Sequence, residues 1–175
     1  MARPTIDQIR GIGNVTQLFR WNLIFAQFPQ GLAAPPASDA LNLRCESATL
    51  PKLTGTNTEV KIRGHKVNQP GIHNYSGTIQ LTFVETVDNT IHNFLKAWRE
   101  ICWQTRTGIQ LPKNQVEAVV LLQRLNQQDV AIWEYKLIGA FLSDYEPGGT
   151  LNNDGSDPLK PALTLSYDLI DDQAL

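Results

Sequence analysis

The residues best suited to chemistry are few, and their spacing argues against a reaction centre. The two cysteines, Cys45 and Cys102, lie 57 positions apart. This spacing gives neither a disulfide framework nor the paired-cysteine pattern of a zinc site. The three histidines are His65, His73 and His92. No two of them have the spacing of a zinc motif, so we expect no metal centre and no cysteine or histidine catalysis.

Two loops have a partial similarity to ligand-binding motifs. The run Gly11-Ile-Gly13-Asn-Val-Thr16 begins like a dinucleotide fingerprint, but it ends in Thr and follows no predicted strand. The run 152–157 resembles part of a calcium loop, yet the first and last ligand positions of that loop would hold Thr150 and Pro161. The serines lack the glycine-flanked elbow of hydrolases. The sequence therefore predicts no enzyme, no cofactor and no metal, with weak cation binding by the aspartates of 152–157 as the alternative to a solvated turn.

Size and charge narrow the class of the protein. The chain has 175 residues, 42% of them hydrophobic, and its 15 basic and 17 acidic side chains give a net charge of −2. This length fits one packed domain, so we assign 1–175 to a single domain. The near-neutral balance disfavours a DNA-binding domain, which is usually strongly basic. No apolar run approaches the ~20 residues that span a bilayer, so we expect no membrane anchoring and no export by a signal peptide.

Alternating apolar and polar residues dominate the chain and predict strands. The clearest strand is 75–83, where Ile79, Leu81 and Phe83 alternate with polar neighbours. Further strands are predicted at 17–28, 41–51, 60–63, 116–125, 131–142 and 163–169. One amphipathic helix is predicted over 88–106, with Asp88 as its N-cap. About seven or eight strands with one flanking helix predict a mainly β fold, either a β-barrel or a two-sheet sandwich.

The other segments are predicted to be irregular or to project. They are an N-terminal arm at 1–16 and two long loops at 29–40 and 147–161, rich in small and turn-forming residues. The segment 58–76 has too few apolar residues for a buried strand pair, and it predicts a projecting hairpin with its turn at Pro70-Gly71. Its basic side chains are Lys61, Arg63, His65 and Lys66. Trp103 lies off the apolar stripe of the predicted helix, where an exposed Trp would anchor a partner.

Charge is unevenly distributed along the chain. Residues 140–175 carry a net charge of −6, and residues 1–139 carry +4. The acidic residues in and just before the second long loop are Asp144, Glu146, Asp154 and Asp157. One interpretation is a solvated acidic end, and the other is a pair of oppositely charged surfaces that attract identical copies.

Several runs of sequence, in their order and spacing, resemble one known family. They are Leu43-Arg-Cys-Glu-Ser-Ala-Thr-Leu-Pro51, Lys61-Ile-Arg-Gly-His-Lys-Val-Asn-Gln-Pro-Gly71, Gly77-Thr-Ile-Gln-Leu-Thr-Phe-Val-Glu-Thr86, Asn93-Phe-Leu-Lys-Ala-Trp98 and Leu163-Thr-Leu-Ser-Tyr-Asp-Leu169. The chain resembles tail tube proteins of contractile-tailed bacteriophages over most of residues 17–170. The long loops at 29–40 and 147–161 depart from that pattern.

The resemblance implies a β-barrel or sandwich related to the ring-forming tube proteins of bacterial type VI secretion. It implies a structural protein, without catalysis or cofactor, that closes into hexameric rings which stack into a hollow tube inside a contractile sheath. The implied partners are further copies of the chain, the sheath protein, the baseplate hub and the tape-measure protein, and genomic DNA passes through without sequence-specific binding. The implied location is the virion tail, assembled in the host bacterial cytoplasm.

The resemblance also gives the candidate surfaces a role. The subunit-interface candidates are Lys61, Arg63, His65, Lys66, Pro70, Gly71 and Trp103. The acidic candidates, Asp144, Glu146, Asp154 and Asp157, are expected to meet basic groups between rings or to line the lumen. Two alternatives remain open. One is a tube-initiator or baseplate-hub protein of the same fold, and the other is a small-ligand-binding β-barrel.

Overall fold

The computed structural model describes residue 3 and residues 5–175. Within them the helices are α1 (Ile6–Arg10), α2 (Ser38–Arg44), α3 (Thr90–Cys102) and α4 (Lys113–Val116). The strands are β1 (Trp21–Gln27), β2 (Cys45–Ala48), β3 (Thr54–Ile62), β4 (His65–Asn74), β5 (Gly77–Phe83), β6 (Ala118–Leu125), β7 (Ala131–Glu146), β8 (Ala162–Tyr167) and β9 (Leu169–Ala174). The mainly β class is confirmed, and the described residues form nine strands with α3 as the one long helix among four.

Seven strands form one bent antiparallel sheet in the order β1-β6-β7-β8-β5-β2, with β9 also paired to β7. Strand β7 is 16 residues long and belongs to both halves of this sheet. Its first part pairs with β6 and β9, and its last part pairs with β8. We call the β1-β6-β7-β9 half sheet A and the β7-β8-β5-β2 half sheet B. The pairing changes between Ala140 and Phe141. The neighbouring Gly139 has a φ of 68°, which disfavours any side chain, and a Cβ there would overlap the Asp168 carboxylate.

Helix α2 lies against β1, the edge strand of sheet A, and then runs directly into β2, the edge strand of sheet B. Asn42 Oδ1 accepts a hydrogen bond from the Leu23 N–H, and Ser38 Oγ accepts one from the Phe25 N–H, each at 2.8 Å. Leu41 points from the helix into the core and is fully buried. Side chains of α2 therefore satisfy an edge that would otherwise offer free N–H groups to another strand.

The apolar face of α3 packs into one core with both sheets. Its buried side chains are Ile91, Phe94, Leu95, Trp98 and Cys102. The Phe25 ring stacks on Phe28 at a centroid distance of 5.1 Å and meets Phe94 edge-on at 5.9 Å. Trp98 is fully buried, and its indole N–H donates to the Val116 carbonyl at 2.9 Å. This aromatic cluster fixes α3 against the end of β1 and against α4.

Helix α3 begins differently from the sequence prediction. Its N-cap is Asn89, in a left-handed conformation with φ of 53°, and Asp88 accepts hydrogen bonds from two neighbouring hydroxyls instead of capping the backbone. The Glu85 carboxylate caps the helix, because it accepts the N–H groups of Ile91 and His92 at 3.2 and 2.7 Å. The assignment of Asp88 as N-cap was wrong because a side chain from the preceding segment occupies that position.

Four predicted segments need correction. The predicted strand 41–51 starts as helix, and β2 begins only at Cys45, because α2 is used to cover the edge of β1. The predicted strand 163–169 is divided at Asp168 into β8 and β9. The helix predicted to reach 106 ends at Cys102. The predicted arm 1–16 contains α1, and its positions 1, 2 and 4 lie outside the described residues.

Strands β3 and β4 form a separate two-stranded sheet, which we call the hairpin. Its residues are mostly exposed, so the predicted projecting hairpin is confirmed. The turn lies at Arg63-Gly64, with φ of 49° and 82°. The predicted turn at Pro70-Gly71 was wrong, since both residues lie inside β4 and Pro70 is opposite Asn57. Gly71 permits close strand approach instead, because a Cβ there would lie 2.6 Å from the Thr56 hydroxyl and 2.8 Å from its carbonyl.

Candidate assembly surfaces

The cysteine thiols have no chemical role that the structure supports. Desolvation by burial raises the pKa of Cys45 to about 12 and that of Cys102 to about 11. Both thiols therefore stay protonated at neutral pH, and a protonated thiol is a poor nucleophile. Cys102 is buried in the core as predicted, and Cys45 is half-buried.

Metal-binding clusters and membrane-spanning helices are also missing from the described residues. In residue 3 and residues 5–175, no cluster of three or more His, Cys, Asp or Glu side chains could hold a metal ion. Over the same residues, no helix has both the length and the apolar character needed to cross a membrane.

A carboxylate and an imidazole meet at the start of α3. His92 Nδ1 lies 2.6 Å from Glu85 Oε2, and the Glu85 side chain is only 4% exposed. Desolvation acts to raise the pKa of Glu85, but hydrogen bonds from Thr86, His92 and Ile91 outweigh it and hold this pKa below its ordinary value. The Glu85 oxygens are occupied by helix N–H groups. The pair therefore stabilises α3 and does not form a catalytic dyad.

The predicted basic residues lie on the hairpin, and two of them are brought together. Lys61 is directly opposite Lys66, and both pair with Glu59 on the same face. The Lys61 Nζ lies 3.2 Å from Glu59 Oε1. Arg63 is at the turn, and His65 is opposite Ile62 on the other face. One face of the hairpin is therefore charged.

The other face of the hairpin is apolar and open to solvent. Val60 is opposite Val67, and Ile62 follows two positions after Val60, so the three side chains share one face. Ile62 is 63% exposed and Val67 is 56% exposed. A two-stranded hairpin is marginally stable in water unless its apolar face packs on something. An exposed apolar strip rimmed by charge is typical of a protein contact surface.

Trp103 is only partly exposed, and its role as a subunit-interface residue stays a prediction. It ends α3 as the C-cap, and its side chain is half-buried against the core. Its backbone N–H donates to the Arg99 carbonyl. The chain folds back onto the last turn of the helix, where the Leu111 N–H reaches the Ile101 carbonyl at 3.4 Å.

The four acidic candidates occupy two places. Asp144 and Glu146 lie on the last part of β7, opposite Thr164 and Ala162 of β8. Asp154 and Asp157 lie in the following loop, 147–161, which contains no helix or strand, as predicted. The two ends of this loop meet, since a Cβ on Gly148 would overlap the backbone of Lys160. The loop is further fixed by the ion pair between Lys160 Nζ and Glu46 Oε1 at 2.5 Å.

The hairpin and the acidic loop are attached to opposite ends of the same strand pair. Strand β5 begins at Gly77, just after the hairpin, and Gly77 pairs with Tyr167 at the end of β8. At the other end, Thr82 pairs with Ala162, which follows the acidic loop directly. Six residues of β8 separate these ends, a distance of roughly 20 Å at the usual rise per residue. The molecule therefore has a basic end and an acidic end.

One partly enclosed apolar cavity among the described residues offers little to a ligand. It lies between the start of β1 and the end of β2 and has a volume of about 190 Å³. Its lining includes Trp21, Leu50, Leu122 and Tyr135, with Arg124 at one side. Ligand pockets usually measure ~300–1,000 Å³. The interior between the sheets is filled by core side chains, so the alternative of a ligand-binding barrel gains no support.

The fold is similar to those of three solved assemblies of contractile injection systems, all at low sequence identity. A chain of the PVC sheath–tube complex in the extended state matches with a TM-score of 0.65 and 18% identity, covering 99% of this chain and 100% of that one. A chain of the PVC sheath/tube terminator matches with a TM-score of 0.66 and 11% identity, covering 93% and 99%. A chain of the anti-feeding prophage baseplate matches with a TM-score of 0.62 and 16% identity, covering 99% and 97%.

Comparison by sequence gives a family assignment. No curated protein matches the chain. The family model described as phage tail tube protein matches residues 17–141, which is more than two thirds of the chain. The family is structural and not enzymatic, in agreement with the absence of a reaction centre expected from the sequence. This chain belongs to the phage tail tube protein family.

Proposed function

We propose that this chain closes into hexameric rings that stack into the inner tube of a contractile tail. The tube lies inside a sheath and conducts DNA during ejection. Family membership supports the tube, and the similarity to a chain of the PVC sheath–tube complex over essentially the full length of both chains supports a contractile system. The further partners are the sheath protein, the baseplate hub and the tape-measure protein. The location is the virion tail, after assembly in the cytoplasm of the host bacterium.

The observation that carries this proposal is the separation of charge between the two ends of sheet B. The hairpin has three cationic side chains against the single carboxylate of Glu59, and the loop at the opposite end carries Asp154 and Asp157. A head-to-tail interface between unlike surfaces propagates indefinitely when its rotation does not close on itself, and stacked rings need an interface of this kind. The open apolar face of the hairpin adds area that a neighbouring ring would cover.

A second candidate function has support from the fold comparisons. The chain is about as similar to chains of a terminator and a baseplate as to a chain of a sheath–tube complex, with TM-scores of 0.66, 0.62 and 0.65. A tube initiator or terminator would keep the ring but present only one stacking surface. The charged segments at both ends of this chain favour the repeating subunit.

Electron microscopy of the purified protein tests the proposal. The expected result is hollow tubes of stacked rings with six-fold symmetry, in increasing number as the protein concentration rises. Rings that never stack would favour the initiator or terminator. A monomer at every concentration, with and without baseplate proteins, would contradict the proposal.

Salt dependence tests the charge contribution. The double substitution Asp154→Asn and Asp157→Asn should raise the protein concentration at which tubes form, because it removes attraction repeated six times in every ring. Each exposed pair contributes only ~0–1 kcal/mol, so repetition makes the effect measurable. Raising salt to 1 M, where the Debye length is ~3 Å, should weaken assembly of the wild-type protein in the same direction.

The matched control for this charge test is the double substitution Asp39→Asn and Asp172→Asn. It removes the same charge from exposed positions in α2 and β9, away from the loop 147–161, and should leave the assembly threshold unchanged. Sedimentation of tubes at increasing protein concentration gives the assembly threshold of the wild-type protein and of each double variant. Equal thresholds for the wild-type protein and both variants, at low and high salt, would leave 147–161 as a solvated loop.

A further inference from the structure

The two sheets present outer faces of different chemistry. On β5 of sheet B, Ile79, Leu81 and Phe83 point into the core, so the alternate residues point outward. The same alternation holds for β8, where Leu163, Leu165 and Tyr167 are buried. The outward side chains of these two strands are Thr78, Gln80, Thr82, Thr164 and Ser166. Strands β5 and β8 therefore present a face of hydroxyl and amide groups, which we call the hydroxyl face, and Phe141 of β7 lies at its border, opposite Ser166.

Carboxylates border the hydroxyl face, and the lysines beside it are neutralised. Asp144 is opposite Thr164, and Glu146 lies two residues further along the same strand. Lys113 stands beside the face and is ion-paired with Asp168. Lys160, at the loop end, is ion-paired with Glu46. The face is therefore neutral to acidic.

The outer face of sheet A has another character. Its central row runs across four strands as Ile24, Leu121, Lys136 and Asp171. Ile24 and Leu121 are only half-buried, so apolar surface and charges of both signs lie side by side. This mixture is common at contacts between subunits, where an apolar centre is surrounded by a polar rim.

We propose that the hydroxyl face of sheet B lines the lumen and is the wall along which double-stranded DNA slides. The proposal rests on the proposed tube. A cationic wall would bind each phosphate and release counterions, so affinity would accumulate along every ring of the tube. Neutral hydroxyl and amide groups bind water and add no such affinity for the phosphates. The carboxylates of Asp144 and Glu146 repel the phosphates. In this proposal Asp144 and Glu146 face the lumen, whereas Asp154 and Asp157 face the next ring.

Cysteine labelling of assembled tubes tests the orientation of this face. Gln80→Cys places a thiol at its centre. Asn93→Cys is the matched control, because Asn93 is exposed on α3, and α3 lies on the core side of sheet B, where Cys102 contacts the Leu142 backbone. The native thiols react slowly, since burial raises the pKa of Cys45 to about 12 and that of Cys102 to about 11.

In tubes verified by microscopy, a small maleimide should label both introduced thiols. A maleimide carried on a folded protein should label Gln80→Cys at least tenfold more slowly than Asn93→Cys, and the two rates should become equal after disassembly. Equal rates in tubes, or protection of Gln80→Cys from the small reagent as well, would overturn the proposal and leave the tube intact. Absence of tubes in the micrographs would instead contradict the proposed function, and the lumen assignment with it.

Retention of DNA tests the chemistry of the wall. Tubes are assembled with a short DNA duplex and then treated with a nuclease. Wild-type tubes should retain no protected DNA, whereas tubes of Gln80→Lys should retain protected DNA that 1 M salt releases. Asn93→Lys adds the same charge elsewhere, so any DNA that it binds should be digested. Protected DNA in wild-type tubes, or digestion of the DNA held by Gln80→Lys tubes, would contradict the proposal.

Discussion

The core packed around α3 is buried, whereas the apolar side chains of the hairpin are exposed to solvent. In the core, Trp98 is fully buried, its indole N–H has a carbonyl acceptor, and aromatic rings surround it. In the hairpin, Ile62 and Val67 are more than half exposed on a face without cover. The core therefore determines the fold of one subunit, and in our proposal the hairpin provides the contacts between subunits. Substitutions in the two regions should separate folding from assembly.

The largest effect on folding is expected from Trp98→Ala. This substitution empties the centre of the aromatic cluster and leaves the Val116 carbonyl without its donor. Large aromatic-to-Ala changes in cores cost ~3–5 kcal/mol of unfolding free energy. Urea denaturation measures the loss, and tubes should disappear only where the subunit unfolds. A loss below 1 kcal/mol would mean that the cluster does not hold α3.

A smaller loss is expected from Glu85→Gln, which keeps the shape of the helix cap but removes its charge. A charged cap at a helix N-terminus contributes ~1–2 kcal/mol. Since the folded pKa of Glu85 is below the ordinary value of 4.5, its contribution is complete above pH 4.5 and is lost as the pH falls through the folded pKa. The stability difference between the wild-type protein and Glu85→Gln should therefore shrink in acid. Asp88→Asn, at an exposed carboxylate, is the control and should have the smaller effect.

The smallest effect on folding is expected from Ile62→Ser combined with Val67→Ser, because exposed positions usually change stability by less than ~0.5 kcal/mol. The effect on assembly should be large, with the concentration needed for tubes rising at least tenfold. Asn68→Ser, on the charged face of the hairpin, is the matched control. Unfolding curves and tube sedimentation are measured on the same samples. A parallel loss of unfolding free energy and of sedimented tubes would contradict the separation of folding from assembly.

Local patterns predicted much of the fold. Alternation in 75–83 identified β5 correctly because one face of that strand is buried, and the spacing of apolar residues from Ile91 to Cys102 identified α3 for the same reason. The segment from Ser38 to Arg44 failed this reasoning, because its polar side chains bond to β1, far away in sequence. Nothing local distinguishes such a helix from an alternating strand.

The candidate surfaces were predictable to a lesser degree. Basic residues without apolar partners indicated a projecting hairpin, but Pro70-Gly71 looked like a turn because these residues usually form one. Only the pairing of β3 with β4 shows that Gly71 is there to let Thr56 approach. The hydroxyl face is assembled from β5 and β8, which are about eighty residues apart in the chain. Its members become neighbours only through the sheet register, so their shared chemistry was not visible in the sequence.

In our proposal the hairpin joins one ring to the next, and a helical reconstruction of the wild-type tube would resolve that contact. The map should show the face formed by Val60, Ile62 and Val67 buried against a subunit of the adjacent ring, with the hairpin cations near Asp154 and Asp157 of that subunit. A hairpin that projects into solvent, or that packs on its own sheets within a stacked tube, would contradict this role of the hairpin.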